Sequence, residues 1–232
     1  MYDEMWEMVQ VLIKEKTLVL SNEEKTLFGV ACKNYINKER YLMRTIKSVT
    51  TLLAYKTKKP LLEEYLKRNC KRFEACCLHV VEQIDKLVLE PEATTENPNQ
   101  DGLAFYWKTK ADMYRYICES ATGERLAEIK VEAKKCYQKA NSFTINSVGP
   151  TKISIGLNFS VFEVEYGKNL HLGIKMSEKM LSEALEKMDA LPESEYKEVD
   201  TILEVVKENV SLWKDQQERE KERAKQQSQT SK

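Results

Sequence analysis

A row of cations lies along one face of a helix predicted for residues 22–55. The face carries Lys33, Asn37, Arg40, Arg44 and Lys47. Their spacings of four, three, four and three residues place these side chains on one side of a helix. Four like charges in one stripe repel one another, and such runs usually face solvent. The stripe therefore allows two interpretations, a solvated basic face or an anion-binding site.

A second stripe combines cations with carboxylates. Lys108, Asp112, Arg115 and Glu119 lie on one face of a helix predicted for residues 102–121. Asp112 and Glu119 could hold the Arg115 guanidinium in one rotamer, as a preorganised anion site requires and as an ordinary surface ion pair also shows. Tyr116 adds a neighbouring phenol, turned by 100° around the helix. We expect both side chains to reach one ligand if it lies between their directions.

Two further predicted helices carry one asparagine each within a largely apolar face. The first face consists of Leu157, Asn158, Val161 and Glu165, and the second of Val205, Asn209, Leu212 and Trp213. An unmatched buried amide costs about 1–3 kcal/mol, so each asparagine needs a partner. The partner is either a neighbouring helix or the backbone of an extended peptide whose side chains contact the apolar residues.

Together, these cationic and amide-bearing faces would form an amphipathic groove suited to a phosphorylated peptide. A phosphoserine carries a charge of about −1.5 to −2 at pH 7 and three acceptor oxygens. Arginine donates to such a group through two parallel hydrogen bonds, whereas lysine contributes a point charge. Three charge-assisted hydrogen bonds would separate a phosphorylated peptide from a plain one by a few orders of magnitude.

Composition excludes several other classes of protein. The 232 residues include 37 Lys+Arg and 37 Asp+Glu, so the net charge gives no reason to expect nucleic acid as a partner. Gly 7 and Pro 5 are few for a sheet-rich fold with tight turns. No run of about 18 apolar residues is present, and we expect neither a membrane-spanning helix nor membrane insertion.

The residues of known chemical sites are also missing from the sequence. The six cysteines contain no CxxC pair, and the acidic start MYDEMWEM does not resemble a secretory signal, which favours a reduced, cytoplasmic protein. There is no glycine-rich phosphate loop and no nucleophile with a base at useful spacing. We therefore expect no catalysis, no metal and no cofactor.

Proline positions and apolar periodicity predict a chain of helices. Prolines stand at 60, 91, 98, 150 and 192, and the stretches between them have helical periodicity. Besides a first helix ending before Ser21, helices are predicted at 22–55, 61–89, 102–121, 124–142, 169–189 and 194–216. Ser21 and Glu24 match a capping box at the start of the second helix. Residues 216–232 lack core-forming side chains and are predicted to be a mixed-charge, largely disordered tail.

Four ordered blocks carry a resemblance to a known family. They are SNEEKTLFGVACKNYINKER at 21–40, FYWKTKADMYRY at 105–116, GLNFSVFEVE at 156–165 and YKEVDTILEVVKENVSLW at 196–213. With them the sequence resembles the 14-3-3 proteins over about residues 1–215. The resemblance implies an all-α fold, a single domain at 1–215 built as an antiparallel helical array with a concave amphipathic groove.

The resemblance also implies a function and its residues. It implies an adaptor that binds phosphorylated Ser/Thr client proteins without catalysis, and the alternative is a helical scaffold that binds partners independently of phosphate. Lys33, Arg40, Arg115 and Tyr116 fall on the family's phosphate-binding positions, with Lys108 nearby. Asn158 and Asn209 match its peptide-backbone contacts, Glu165 matches an acid near the peptide, and Leu157, Val161, Val205 and Trp213 match its apolar wall. We expect Lys33→Glu or Arg115→Ala to abolish phosphopeptide binding without unfolding the chain.

The segment 151–166 is ambiguous by period alone. From Ile153 to Val161, apolar residues alternate with small or polar ones, which is typical of a strand. A lone strand would have no partner, and the resemblance implies a helix. We therefore predict a helix.

Three departures from the family bear on function. The chain starts where the family's second helix begins, so a homodimer is expected to be weakened or absent. Glu39 replaces a basic residue beside Arg40 and is expected to lower the local positive potential. Arg72 stands where the family usually has an acid that pairs across the dimer.

Overall fold

The computed structural model describes residues 2–16, 19–93 and 95–230. Within these ranges the regular structure is helical, which confirms the predicted all-α fold. The helices are α1 (Tyr2–Lys16), α2 (Asn22–Thr50), α3 (Lys59–Ile84), α4 (Gln100–Ile117), α5 (Gly123–Ser142), α6 (Pro150–Glu165), α7 (Leu170–Lys187) and α8 (Glu193–Thr230). Shorter turns of 3₁₀ helix lie at Leu53–Lys58 and Met188–Ala190, and α3 continues through a π turn at Asp85–Leu89 into Glu90–Glu92.

The start of α2 is set by the capping box that the sequence predicted. The Ser21 hydroxyl accepts a hydrogen bond from the Glu24 amide at 3.2 Å, and the Glu24 carboxylate accepts from the Ser21 amide at 2.9 Å. Two of the amides that a helix start leaves unpaired are thereby satisfied. At its other end α2 stops at Thr50, short of the predicted residue 55, because Leu52 is extended and a 3₁₀ turn follows.

Helix α6 confirms the prediction for the ambiguous segment 151–166. Pro150 stands in its first turn, where a missing amide proton costs nothing. Ile153 and Ile155 are both buried, and so are Phe159 and Phe162. Because α6 is covered on more than one side, its apolar residues do not form the single stripe of a surface helix, and the alternating pattern arises.

The chain divides into two compact units, Met1–Phe143 and Thr144–Lys232. The first contains α1 to α5, and its core includes the fully buried rings of Phe28, Phe73, Tyr106 and Tyr137. The second contains α6 to α8 and has its own apolar core, built on Val148, Ile153, Ala184, Met188, Val199 and Leu203.

Helix α8 differs from the sequence prediction at its C-terminal end. The sequence predicted that the helix ends near 216 and that 216–232 is largely disordered, whereas the structure continues α8 to Thr230. No glycine or proline follows Pro192 in the sequence. Two i,i+4 bonds support the extension, since Gln216 donates to Glu220 at 2.8 Å and Lys221 donates to Gln217 at 3.4 Å.

Candidate functional site

Asp112 on α4 is a buried acceptor for three donors of the first unit. Lys108 Nζ donates to it at 2.9 Å and Arg115 Nη2 at 3.4 Å, both from the same helix. Tyr137 Oη, on α5, donates at 2.6 Å. Burial alone would raise the pKa of Asp112, but the charges of Lys108 and Arg115 outweigh that effect and lower it. Asp112 is therefore an anion at neutral pH that fixes two cations.

Arg115 is held from a second side by Tyr137. Its Nε donates to Tyr137 Oη at 3.1 Å, and its side chain is 14% exposed. Burial, together with the charge of Asp112, raises the pKa of Tyr137 well above its usual range, so the phenol keeps its proton. Arg115 thus has one fixed orientation before any ligand arrives. Because it is mostly buried, Arg115→Ala should also lower stability, and Lys33→Glu is the cleaner test of binding.

Glu119, just beyond the C-terminal end of α4, accepts hydrogen bonds from three cations of α2. Arg40 donates to it through Nε at 3.1 Å and Nη2 at 2.5 Å, and Arg44 through Nε at 3.1 Å and Nη2 at 2.9 Å. Lys47 donates to its backbone carbonyl. The sequence hypothesis that Glu119 would hold Arg115 is therefore wrong, because Glu119 lies beyond the end of α4 and its carboxylate binds Arg40 and Arg44 of α2.

The ring of Tyr116 joins the two arginines. The Cζ atom of Arg40 lies 4.4 Å from the ring centroid and that of Arg115 lies 4.7 Å from it. Both contacts are of cation–π type, which offsets part of the repulsion between the guanidinium groups. Tyr116 is 6% exposed, and burial raises the pKa of its phenol. The structure thus brings together Arg40, Arg115 and Tyr116 of the predicted phosphate-binding set.

Lys33 differs from these residues because it is exposed. It lies on α2 beside Cys32, and burial raises the pKa of the Cys32 thiol against the opposing charges of Lys108 and Lys33. Both lysines therefore lie near Cys32 in the first unit. Within the described part of the chain, Lys33 makes no ion pair, so its charge is available to a ligand.

The predicted peptide-binding residues of the second unit lie on α6 and α8, which contact each other. Leu157, Asn158, Val161 and Asn209 are half-buried, Glu165 and Val205 are exposed, and Trp213 is 9% exposed. A Cβ atom placed on Gly173 of α7 would lie 3.7 Å from Trp213 Cζ3 and would collide with Val164. The glycine allows α7 to approach closely, and Trp213 is covered on that side.

Glu39 is buried and paired inside the first unit. Its carboxylate accepts hydrogen bonds from Asn69 Nδ2 at 2.5 Å and from Arg72 Nη2 at 2.7 Å, both on α3. Glu39 and Arg72, the two positions where the resemblance implies a departure from the family, therefore form one ion pair. The negative charge of Glu39 is therefore compensated locally by Arg72.

The Glu39 pair gives a stability prediction. We expect Glu39→Ala to lower the free energy of unfolding by about 1–3 kcal/mol, because the buried Asn69 Nδ2 loses its acceptor and the more exposed Arg72 loses its ion-pair partner. Urea unfolding followed by circular dichroism measures the change. Glu64→Ala is the matched control, because its pair with Arg68 is exposed at both ends and should be worth at most about 1 kcal/mol. Equal losses in the two variants would contradict the role of Glu39.

Tyr137 was absent from the sequence prediction although a signal for it exists. It lies in the buried face of α5 with Ile129, Ala133 and Ala140. A tyrosine inside an apolar face needs a partner for its hydroxyl. The sequence does not show that this partner is Asp112, since the register between α4 and α5 depends on packing.

Other kinds of site find no support in the described ranges. No group of three or more His, Cys, Asp or Glu side chains there could hold a metal ion. Across the same residues, no helix is long and apolar enough to cross a membrane.

Comparison with known proteins identifies the family. The family model for the 14-3-3 protein matches residues 1–214. The chain belongs to the 14-3-3 family. The chain is similar to 14-3-3 protein theta of Mus musculus, Rattus norvegicus and Gallus gallus, each 30% identical over 216 residues that cover 91% of this chain and 86% of the relative. Membership of the 14-3-3 family supports an adaptor role in general.

Proposed function

We propose that this 14-3-3 protein is a cytoplasmic, non-catalytic adaptor that binds client proteins phosphorylated on serine or threonine. Lys33, Arg40, Arg115 and Tyr116 bind the phosphate. The observation that carries the proposal is the placement of two guanidinium groups over the Tyr116 ring, each tied to its own carboxylate. Fixed cations bind an anion without paying the entropy of ordering long side chains.

Both arginines keep hydrogen-bonding capacity for a ligand. A guanidinium has five N–H donors, and hydrogen bonds within the described ranges use two on Arg40 and two on Arg115. The remaining donors suit the three oxygens of a phosphate group, and Lys33 adds an exposed point charge. Charge-assisted bonds of this kind are worth about 1.5–3 kcal/mol each, so phosphate should dominate recognition.

The remaining predicted residues contact the peptide that carries the phosphorylated residue. In this proposal, Asn158 and Asn209 bind backbone groups, since an amide offers both a donor and an acceptor. The wider peptide-binding set is Lys108, Leu157, Asn158, Val161, Glu165, Val205, Asn209 and Trp213. Val205 is 43% exposed and gives α8 an apolar surface for a peptide side chain.

Fluorescence anisotropy with a phosphoserine peptide and its unphosphorylated twin tests the proposal. We expect the phosphorylated peptide to bind at least about 100-fold more tightly, which corresponds to two charge-assisted hydrogen bonds. Light scattering on the same sample reports the mass of the complex. Equal affinity for both peptides would contradict the proposal and favour a phosphate-independent scaffold.

A further inference from the structure

The connection between α2 and α3 is basic and apolar at once. Taken with the last turn of α2 and the first turn of α3, it comprises residues 47–62, which read KSVTTLLAYKTKKPLL, with four lysines and no acidic residue. Every residue from 51 to 61 is exposed. Such a segment carries a local positive field even though the net charge of the whole chain is zero.

Large apolar side chains of this connection face solvent. Leu53 is 88% exposed, Leu61 66%, Leu52 50% and Tyr55 41%. The backbone that presents them forms turns, in which the Leu52 amide donates to the Val49 carbonyl at 3.0 Å and the Tyr55 amide donates to the Leu52 carbonyl at 3.1 Å. A single exposed leucine needs no explanation, but several adjoining ones indicate a contact surface.

A recess of about 490 Å³ lies beside these side chains. It is lined by Lys47, Lys56, Lys59, Glu63, Thr50, Thr51, Leu52, Leu53 and Leu66. Lys47 Nζ donates to the backbone carbonyl of Glu119, and Lys59 Nζ lies 3.7 Å from Glu63 Oε1. In the described ranges, Lys56 and Lys58 have no carboxylate partner. The recess therefore joins an apolar wall to uncompensated positive charge.

We propose that residues 47–62 dock on an anionic lipid surface. Leu52 and Leu53 enter the boundary between headgroups and acyl chains, and Lys56 and Lys58 bind lipid phosphates. Lysines suit this position because their apolar stems lie along the lipid while the ammonium groups stay at the headgroups. A protein partner would need a cavity shaped for Leu53, whereas a lipid boundary accepts it without one.

This contact differs from a membrane-spanning one. It uses side chains of one connection, so it does not need the long apolar helix that the described chain lacks. The sequence-based expectation of no membrane insertion rested on the search for such a helix. A short segment with clustered lysines and two leucines gives no signal in that search.

Co-sedimentation with vesicles tests the proposal. We expect the protein to bind vesicles that contain phosphatidylserine and to leave pure phosphatidylcholine vesicles unbound. Rising salt should weaken the binding, because screening shortens the reach of the lysine charges. The double variant Lys56→Glu/Lys58→Glu should reduce the partition coefficient by about tenfold or more. Leu52→Ser/Leu53→Ser should reduce it by a similar factor.

Matched controls lie on α7 in the second unit. Lys175→Glu/Lys187→Glu makes the same change of charge, and Leu185→Ser removes a leucine that is 61% exposed. These controls should bind vesicles like the unchanged protein. Thermal unfolding and phosphopeptide affinity should stay the same in every variant, since none of these side chains belongs to the core or to the proposed phosphate site.

Two outcomes would overturn the lipid proposal. The first is equal binding to both kinds of vesicle, and the second is full binding by the loop variants. In the second case, a change in the mass seen by light scattering would make the surface a contact between two copies of the chain. Each outcome is independent of phosphopeptide binding, so the proposed adaptor function is judged separately.

Discussion

Lys33→Glu should weaken binding of a phosphoserine peptide by at least about 100-fold and leave the melting temperature unchanged. The variant loses one charge-assisted bond, worth about 1.5–3 kcal/mol, and places a negative charge against the phosphate. Lys33 is exposed, and no ion pair of the described chain depends on it, so the fold should not respond. Anisotropy measures the affinity, and thermal circular dichroism measures stability.

Lys38→Glu is the matched control for this prediction. It makes the same charge reversal on the same helix, five residues further along, where the side chain is exposed on a different face. We expect its effect on affinity to be no more than about fivefold, which is the scale of a screened charge at longer range. Equal losses for Lys33→Glu and Lys38→Glu would show a general electrostatic effect and would remove Lys33 from the site.

Asp112→Asn should lower the stability of the fold more than Glu39→Ala does. It leaves the largely buried cations of Lys108 and Arg115 without their anion, and breaking such a pair costs about 3–5 kcal/mol. Phosphopeptide affinity should fall as well, because Arg115 loses one of the two groups that orient it. Urea unfolding and anisotropy together measure both effects.

Asp101→Asn is the control on the same helix. Asp101 pairs with Lys25, but its side chain is 41% exposed, so the loss should stay within about 1 kcal/mol. If Asp112→Asn cost no more stability than Asp101→Asn, the buried network would not contribute to the fold. If it lowered stability and left affinity intact, Arg115 would not need Asp112 for binding.

Low pH should remove the contribution of Asp112 to the stability of the unsubstituted protein. The pKa of Asp112 is lowered in the folded state from its ordinary value of 3.8. Its contribution to stability is therefore complete above that value and is lost as the pH falls through the lower, folded-state pKa. The gap in unfolding free energy between the unchanged protein and Asp112→Asn should stay constant near neutral pH and narrow below about pH 4. A constant gap down to about pH 2 would contradict this.

The sequence predicted those parts of the fold that depend on neighbours along the chain. The capping box at Ser21 is a local signal and is confirmed. The helix after Pro150 is confirmed as well, but the local period favoured a strand there, and the resemblance implied the helix. Helix ends were harder to predict. The end of α2 at Thr50 depends on a 3₁₀ turn, and the extension of α8 to Thr230 depends on weak i,i+4 bonds. Such side-chain bonds are worth only a few tenths of a kcal/mol. They can move a helix end by several residues and leave little signal in the sequence.

Side-chain pairings between helices could be predicted only in part. The stripes on α2 and α4 identified which cations could meet, and the structure brings Arg40 and Arg115 to one tyrosine ring. It also assigns Glu119 to Arg40, and Tyr137 to Arg115. Those assignments depend on how each helix is rotated about its axis when the helices pack. The periodicity of a single sequence does not predict that rotation.

The carboxylate of Glu119 neutralises part of the charge that Arg40 presents to a ligand, because it occupies two of the five N–H donors. A client carboxylate, with one charge and two oxygens, gains little from the remaining donors, whereas a phosphate brings nearly twice the charge and an additional oxygen. Aspartate or glutamate substituted for the phosphorylated residue of a client should therefore fail to restore binding. The protein would then bind a client only after a kinase has modified it, and acidic stretches in other proteins would not bind in place of a phosphorylated site.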